Sequence, residues 1–305
     1  MREDVLMSDY TTFRIGGKAK YFTEARDGEE LKKAISFARE KELPFFILGN
    51  GSNILVSDNG YNGLIVKMTN NRIWQEDDSV VAEAGLLLSS LGSFCLKNSL
   101  TGLEWSTGIP GSLGGAVRGN AGAFESSMAD LVLSVDFFNS RSGELSTLDN
   151  RACRFSYRES VFKKDNSLII LSVKLKKKLG DRDLIEAKMR DNLNYRREKH
   201  PQEPSAGSIF KGVKLTDRIK DRWPEAIQFK ELIPAAFLID KVGLKGEKIG
   251  GAMTSTVHPN FIINVGRAKA EDVVRLIKRV KEKVREEVGV TLEEEICYLG
   301  IDKEE

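Results

Sequence analysis

Two glycine-rich stretches hold the residues of this chain whose types and spacing most plainly suit chemistry. The first, Leu48-Gly49-Asn50-Gly51-Ser52-Asn53, places Gly-x-Gly directly after the short apolar run 45–48. Glycine tolerates positive φ and carries no Cβ, so successive backbone N–H groups in such a turn can converge on an anion, as in a pyrophosphate cradle. It is not a Rossmann fingerprint, because the third glycine is absent and Asn53-Ile54-Leu55-Val56 reads as extended chain rather than as the start of a helix. It is not a Walker loop either, since Gly-Lys-Ser/Thr is missing. Taken alone, a Gly-x-Gly of this kind is more often an ordinary tight turn.

The second stretch is denser. Of 27 glycines, seven fall between Gly102 and Gly122, more than turn formation requires. Gly108-Ile109-Pro110-Gly111-Ser112-Leu113-Gly114-Gly115-Ala116 runs on to Gly119-Asn120-Ala121-Gly122. An irregular structural loop would account for the glycines, but Ser112 and Asn120 add side-chain hydrogen-bonding groups to that backbone. The combination suits a flat ring system edged by carbonyls and joined to a pyrophosphate. Two such loops together favour a dinucleotide cofactor.

The elements that must position these loops can be read around them. Asp27 is placed to cap a helix whose Leu31, Ala34, Ile35 and Ala38 recur at helical spacing, and Pro44 forbids its continuation. Residues 45–48, 64–68 and 80–84 read as short strands, followed by a helix carrying Leu88, Leu91, Phe94 and Cys95. Residues 131–138 and 168–175 read as strands bracketing a Ser142-Gly143 turn, and the basic run Lys176-Lys177-Lys178 before Gly180 marks a domain boundary. Beyond it, residues 181–200 form a charged helix with the narrow stripe Ile185, Met189 and Leu193. A helix at 235–241, a strand at 261–265, an amphipathic helix through Val273, Ile277, Val280, Val284 and Val288 ending at Gly289, and a strand at 290–299 complete the chain. Both halves read as α+β.

Composition excludes several function classes. At 305 residues the chain is long enough for two or three domains, and 47 Lys plus Arg against 45 Asp plus Glu leave no global field that would call for nucleic acid or an anionic membrane. Cys95, Cys153 and Cys297 are widely separated, with no CxxC pair, and His200 and His258 are the only histidines, so no metal site is expected and the thiols read as reduced and structural. The start Met1-Arg2-Glu3-Asp4 lacks a signal-peptide pattern and no apolar run approaches a membrane span, so a cytoplasmic enzyme is expected.

Six ordered blocks carry a family resemblance over essentially the whole chain. They are Thr12-Phe13-Arg14-Ile15-Gly16-Gly17, the 48–53 stretch, residues 108–124, Phe155-Ser156-Tyr157-Arg158-Glu159-Ser160, Ala206-Gly207-Ser208-Ile209-Phe210-Lys211, and Leu292-Glu293-Glu294-Glu295-Ile296. In these blocks the chain resembles the UDP-N-acetylenolpyruvoylglucosamine reductases, flavoenzymes that complete UDP-N-acetylmuramate for peptidoglycan. The resemblance implies an α+β architecture: a two-lobed FAD-binding module of the vanillyl-alcohol-oxidase type, residues 1–66 and 67–180, followed by a substrate-binding domain, residues 181–305. It implies non-covalent FAD, held by Leu48, Gly49, Asn50, Gly51, Ser52 and Asn53 and by Ile109, Gly111, Ser112, Gly114, Gly115, Asn120, Ala121 and Gly122. NADPH is the implied hydride donor and UDP-N-acetylglucosamine enolpyruvate the implied substrate; a monomer is expected.

The resemblance also assigns roles that residue type alone does not. Without it, Arg158 would be read as a surface ion-pair residue, Ser208 as a turn serine and Glu295 as one of an acidic run. With it, Arg158 and Glu295 stabilise charge that spreads into the substrate carboxylate, Ser208 protonates C2, and Tyr157 orients the substrate. Where the family commonly continues Phe-Lys with Asn-Pro, this chain has Gly212-Val213, which removes one amide contact and leaves Arg196, Arg197 or Lys211 to cover the substrate phosphates. The chain matches the shorter subclass, lacking an extra loop over the site. Two rivals are another FAD oxidase or dehydrogenase of the same fold, which the Arg158, Ser208 and Glu295 blocks oppose, and a colourless nucleotide-sugar-binding module that keeps the glycine loops for structure.

Overall fold

Asp27 starts the first long helix as its setting predicts. Its carboxylate accepts from the Glu30 amide at 2.8 Å, and Gly28–Glu40 then buries Leu31, Ala34, Ile35 and Ala38 on one side. The helix carries the chain from the strand Lys18–Ala25 to Phe45–Leu48, which pairs in parallel with Tyr61–Met68. The apolar helix face and the strands close a small core through Leu64, Val66 and Met68.

The computed structural model describes residues 1–230 and 232–301. They sort into two compact units, each assembled from separated stretches: Met1–Val5, Ala19–Gly51 and Asn62–Arg196 in the first, and Leu6–Lys18, Ser52–Tyr61 and the chain from Arg197 onward in the second. The second unit therefore contains short early segments, which a linear division of the chain leaves out. The helix Arg182–Lys199 gives its residues up to Arg196 to the first unit.

A second sheet of the first unit has five antiparallel strands in the order Leu145–Asp149, Val132–Asn139, Leu168–Lys176, Ser79–Glu83, Ile73–Glu76. The expected Ser142-Gly143 turn is present, but it leads into Leu145–Asp149 and not directly into the next long strand. That edge strand is mostly exposed and lacks an apolar face, so periodicity carries no trace of it. Leu88–Lys97 covers this sheet, burying Leu88, Leu91 and Cys95, and the core continues through Trp105, Leu113, Val117 and Cys153. Burial pushes the Cys95 thiol up to about 12 and the Cys153 thiol up to about 11, with Glu104 and Asp149 adding to the respective effects. Both are free and inert at neutral pH, matching their reading as structural thiols.

The second unit is built on the sheet order Ser205–Ser208, Phe261–Asn264, Ala252–Thr254, Lys248–Ile249. The helix Ala270–Val288 buries Val273, Leu276, Ile277, Val280, Val284 and Val288 in its core. Each fully buried side chain of this kind contributes about 1.5–3 kcal/mol relative to exposure. Phe13 and Ile15 join the same core, which is why the 12–17 block belongs to this unit.

The expected strand at 290–299 is a strand only at Cys297–Leu299, paired in parallel with Ile54–Val56. Residues 290–296 make single backbone bonds to another segment, Glu295 N to Ile209 O and Lys211 N to Glu293 O, so no continuous ladder forms. Among the described residues no helix is long and apolar enough to cross a membrane.

Candidate active site

In the first unit the two glycine stretches meet. A Cβ on Gly49 would collide with Ser112 Oγ, and Asn50 Nδ2 donates to Pro110 O at 2.8 Å. Glycine at position 49 is thus favoured by the approach of a second chain segment, while Gly51, at φ 67°, serves the turn. The 108–122 stretch differs from the expected continuous loop, because it contains the short helix Leu113–Arg118. Ser112 caps that helix by accepting from Gly115 N at 3.4 Å. Leu113 N bonds Leu86 O and Gly114 N bonds Ala84 O, fixing the start of the helix to the end of a sheet strand. Leu48 is buried behind the first turn, while Gly111, Gly114, Ala121 and Gly122 are half-buried and Gly115 is exposed.

The structure brings the Arg158 block to this cradle. Ser156 and Glu159 exchange backbone hydrogen bonds at 3.1 Å, closing a turn with Tyr157 and Arg158 at its tip. Arg158 sits at φ 58°, a left-handed conformation disfavoured for an arginine, and the surrounding bonds impose it. Asn120 Nδ2 donates to Ser156 O at 2.8 Å while its Oδ1 accepts from Ala129 N at 3.0 Å. Lys163 Nζ donates to Arg158 O at 2.8 Å. The guanidinium of Arg158 donates to Gly122 O at 3.0 Å and lies over the Tyr157 ring, 5.1 Å from its centroid. Asn120 is therefore a tie between the glycine stretch and the arginine turn.

Trp105 Nε1 and Thr107 Oγ1, just before Gly108, are buried without a hydrogen-bond partner among the described residues. Buried polar atoms of this kind are normally satisfied, so the segment offers two hydrogen-bonding groups beside the glycine backbone. Donors of this type, a neighbouring Ser112 hydroxyl and a glycine cradle fit the polar ring edge and the pyrophosphate of FAD. Ile109 is half-buried on the same core. Arg196 is buried here too: its guanidinium donates to Trp105 O at 2.9 Å and lies 5.1 Å from the Phe124 ring centroid. Burial pulls its pKa below the ordinary arginine value.

In the second unit a different set converges. Ser208 ends the strand Ser205–Ser208 and lies opposite Phe261. Beyond it, Ile209 O accepts from Glu295 N at 2.7 Å, so Ser208 and Glu295 belong to directly adjoining segments. Asn53 completes the group, its Nδ2 donating to Glu295 O at 3.2 Å and its own carbonyl accepting from Cys297 N at 3.0 Å. Thr12 Oγ1 donates to Ser205 O at 2.7 Å, tying the 12–17 block to the serine strand. Ser52 and Glu295 are half-buried and Arg197 is exposed. Lys211 Nζ lies 3.3 Å from Glu293 Oε2. Gly212 has its own reason: a Cβ there would come within 2.8 Å of Leu232 Cγ and 3.2 Å of Ile233 O, so an asparagine would displace the adjoining strand.

Sequence reasoning missed Asn260. Its Oδ1 accepts from Phe210 N and its Nδ2 donates to Phe210 O, both at 2.9 Å, while its carbonyl accepts from Ile209 N at 2.8 Å. It fixes the backbone that follows Ser208 with nearly all of its polar capacity. His258, two residues earlier, packs on Phe261 at 4.9 Å, its Nδ1 lacks a partner among the described residues, and burial lowers its pKa.

An FAD-type cradle on an α+β scaffold defines the class, and comparisons bear on both of its parts. A family profile described as "FAD binding domain" matches residues 19–149, and one described as "UDP-N-acetylenolpyruvoylglucosamine reductase, C-terminal domain" matches residues 199–299. The chain is 38% identical to the UDP-N-acetylenolpyruvoylglucosamine reductase of Clostridium novyi (strain NT), covering 100% of this chain and 94% of that protein. It is 39% identical to that of Caldanaerobacter subterraneus subsp. tengcongensis, with 96% and 92% covered. The crystal structure of the reductase from Thermus caldophilus superposes with a TM-score of 0.77 at 34% identity, covering 97% of this chain and 98% of that one. The chain belongs to the UDP-N-acetylenolpyruvoylglucosamine reductase family, and is an FAD-binding oxidoreductase with an α+β fold, as its six sequence blocks imply.

Proposed function

We propose that this chain is an NADPH-dependent enzyme that reduces the enolpyruvyl group of UDP-N-acetylglucosamine enolpyruvate to give UDP-N-acetylmuramate, a peptidoglycan precursor, in the cytoplasm. The observation that carries this reading is the direct adjacency of the Ser208 and Glu295 segments, locked by the 2.7 Å bond from Glu295 N to Ile209 O. A hydroxyl and a carboxyl at neighbouring positions suit a reaction that ends with proton delivery to carbon.

FAD, held by the two glycine stretches, would supply a hydride to C3 of the enolpyruvyl group, with NADPH as the source of that hydride. The remaining chemistry falls to side chains. Electron density left at C2 spreads into the substrate carboxylate, where Arg158, permanently charged and held at a fixed turn, offers a planar pair of donors. Glu295 supports the same charge in its protonated form, as a donor. Ser208 Oγ delivers its proton to C2, which a carbanion is basic enough to accept, and Tyr157 orients the substrate beside Arg158.

FAD would be held by residues 48–53 together with Ile109, Gly111, Ser112, Gly114, Gly115, Asn120, Ala121 and Gly122. For the substrate diphosphate we propose Arg197 and Lys211, with Arg196 supporting the 105–108 segment through one of its guanidinium nitrogens. The functional division is an FAD module of two lobes, 1–66 and 67–180, and a substrate domain, 181–305, in a monomer.

The test is made under anaerobic conditions. The purified protein is expected to be yellow, to bleach with NADPH, and to recolour when UDP-N-acetylglucosamine enolpyruvate is added. Flavin that stays reduced in the presence of that substrate would contradict the substrate assignment and leave a flavoprotein of another specificity.

A further inference from the structure

Glu294, the residue before Glu295, is more deeply engaged than its place in an acidic run suggests. Its side chain is only 14% exposed and accepts from Lys281 Nζ at 2.7 Å. Tyr298 is hydrogen-bonded to the same carboxylate, and burial followed by the Glu294 charge pushes its hydroxyl well above the usual tyrosine range. Tyr298 thus keeps its proton and donates it to Glu294 under any working condition. Lys281 sits on Ala270–Val288, the helix that builds the core of the second unit, so the pair anchors the 292–296 segment to a rigid element.

The geometry couples this anchor to Glu295. Glu294 faces Phe210 in an antiparallel bridge, and Glu295 is held on both backbone sides, by Ile209 O and by Asn53 Nδ2. Side chains of consecutive residues in extended chain leave opposite faces, so a Glu294 committed to the helix turns Glu295 the other way. The two carboxyl groups remain close enough for charge on one to act on the other, and in this partly buried setting that action is only weakly screened.

Resting on the reading of Glu295 as a proton-bearing group, we propose that Glu294 and Lys281 are positioning residues that set both the place and the proton affinity of Glu295. As an ion pair they present it with almost no net charge. Removing the Lys281 charge takes one compensating cation from the carboxylate beside Glu295, which favours the protonated form of Glu295; removing the Glu294 charge leaves the Lys281 ammonium, which favours ionisation. For unit charges about 8 Å apart at an effective dielectric of about 40, either change amounts to roughly three-quarters of a pH unit. Glu293, paired with Lys211, and Cys297 lie two residues to either side of Glu295 in the chain, and Lys278 and Arg285 lie on the helix that carries Lys281. None of these is altered, so their contributions are common to all the variants.

The experiment follows the pH dependence of flavin reoxidation by UDP-N-acetylglucosamine enolpyruvate in anaerobically prereduced holoenzyme. Glu295→Gln should remove the alkaline limb, identifying it. Lys281→Met should move that limb to higher pH and Glu294→Gln to lower pH, each by about three-quarters of a unit. The double variant should return it to the wild-type position, and Lys281→Arg should leave it there. Flavin content and the NADPH half-reaction, measured on each variant, confirm that the protein is folded. Shifts in the same direction for both single variants, no shift in either, or a limb that survives Glu295→Gln would overturn the proposal. If the wild-type enzyme is not reoxidised by this substrate, the functional reading itself fails, a result visible before any variant is made.

Discussion

The cofactor cradle and the serine–glutamate group reach order by opposite means. In the first unit, positions are set by backbone: glycine where two segments touch, a short capped helix, and an arginine at φ 58° whose turn is closed by its own flanking residues. In the second, positions are set by side-chain amides reaching across the sequence, Asn260 to Phe210 and Asn53 to Glu295. A cofactor recognised by backbone groups tolerates few changes in chain path but asks little of side-chain chemistry. A proton donor must be placed to a fraction of an ångström, and amides with two-sided hydrogen bonding do this for a strand that has no regular ladder beyond Ser208.

Asn260→Ala breaks the comparison on its second side with the largest effect. It strips partners from both backbone polar groups of Phe210 in a buried setting, so a loss of about 2–4 kcal/mol in urea unfolding is expected. The substrate half-reaction should fall far more than flavin reduction by NADPH. Equal loss in both half-reactions would show that Asn260 supports the fold without placing Ser208.

Gly49→Ala probes the first side. The new Cβ must displace Ser112 Oγ, costing the cap of Leu113–Arg118, about 1 kcal/mol, and weakening flavin retention by about tenfold. Flavin absorbance per chain after gel filtration reads this directly, and unchanged retention would mean that the contact of the two glycine stretches is irrelevant to the cofactor.

The smallest effect sharpens the account of the second unit. Asp272 accepts from the amides of Lys269 and Gly251 at 3.0 and 3.1 Å, and these bonds, the Lys269 one first, hold its carboxyl below the usual range. A depressed folded-state pKa contributes stability above the unfolded value of about 3.9 and loses it as pH falls through the folded value. Asp272→Asn should therefore lower Tm modestly at pH 7, with the difference from wild type shrinking as pH falls below the unfolded value of about 3.9 and through the lower folded one. A difference that does not shrink with falling pH would assign the effect to packing.

The same contrast explains what the sequence made legible. The helices Gly28–Glu40 and Ala270–Val288 announce themselves because apolar spacing and caps act within a few residues, and the glycine stretches do so because their constraint is local steric freedom. Leu145–Asp149 is silent because it sits at an exposed edge and buries no periodic face. Residues 290–296 mislead because Val290, Leu292 and Ile296 recur at even spacing as in a strand, while the backbone partners of the segment come one at a time. Asn260 is invisible for a physical reason: its work is done on Phe210, 50 positions away, and nothing in His258-Pro259-Asn260 signals that partner. Ser208, Glu295 and Arg158 carry no local signal either. Only their six-block context singles them out, and four of those blocks, wholly or in part, fold into one unit.

The most direct test of the account is Ser208→Ala followed through both half-reactions without oxygen. Bleaching by NADPH should proceed within about twofold of wild type, since no proton from Ser208 is needed, whereas reoxidation by UDP-N-acetylglucosamine enolpyruvate should slow by about 10²–10⁴-fold, the usual worth of a positioned acid. A parallel decline of the two rates, or a reoxidation rate left near wild type, would contradict the assignment of Ser208 as the group that protonates C2.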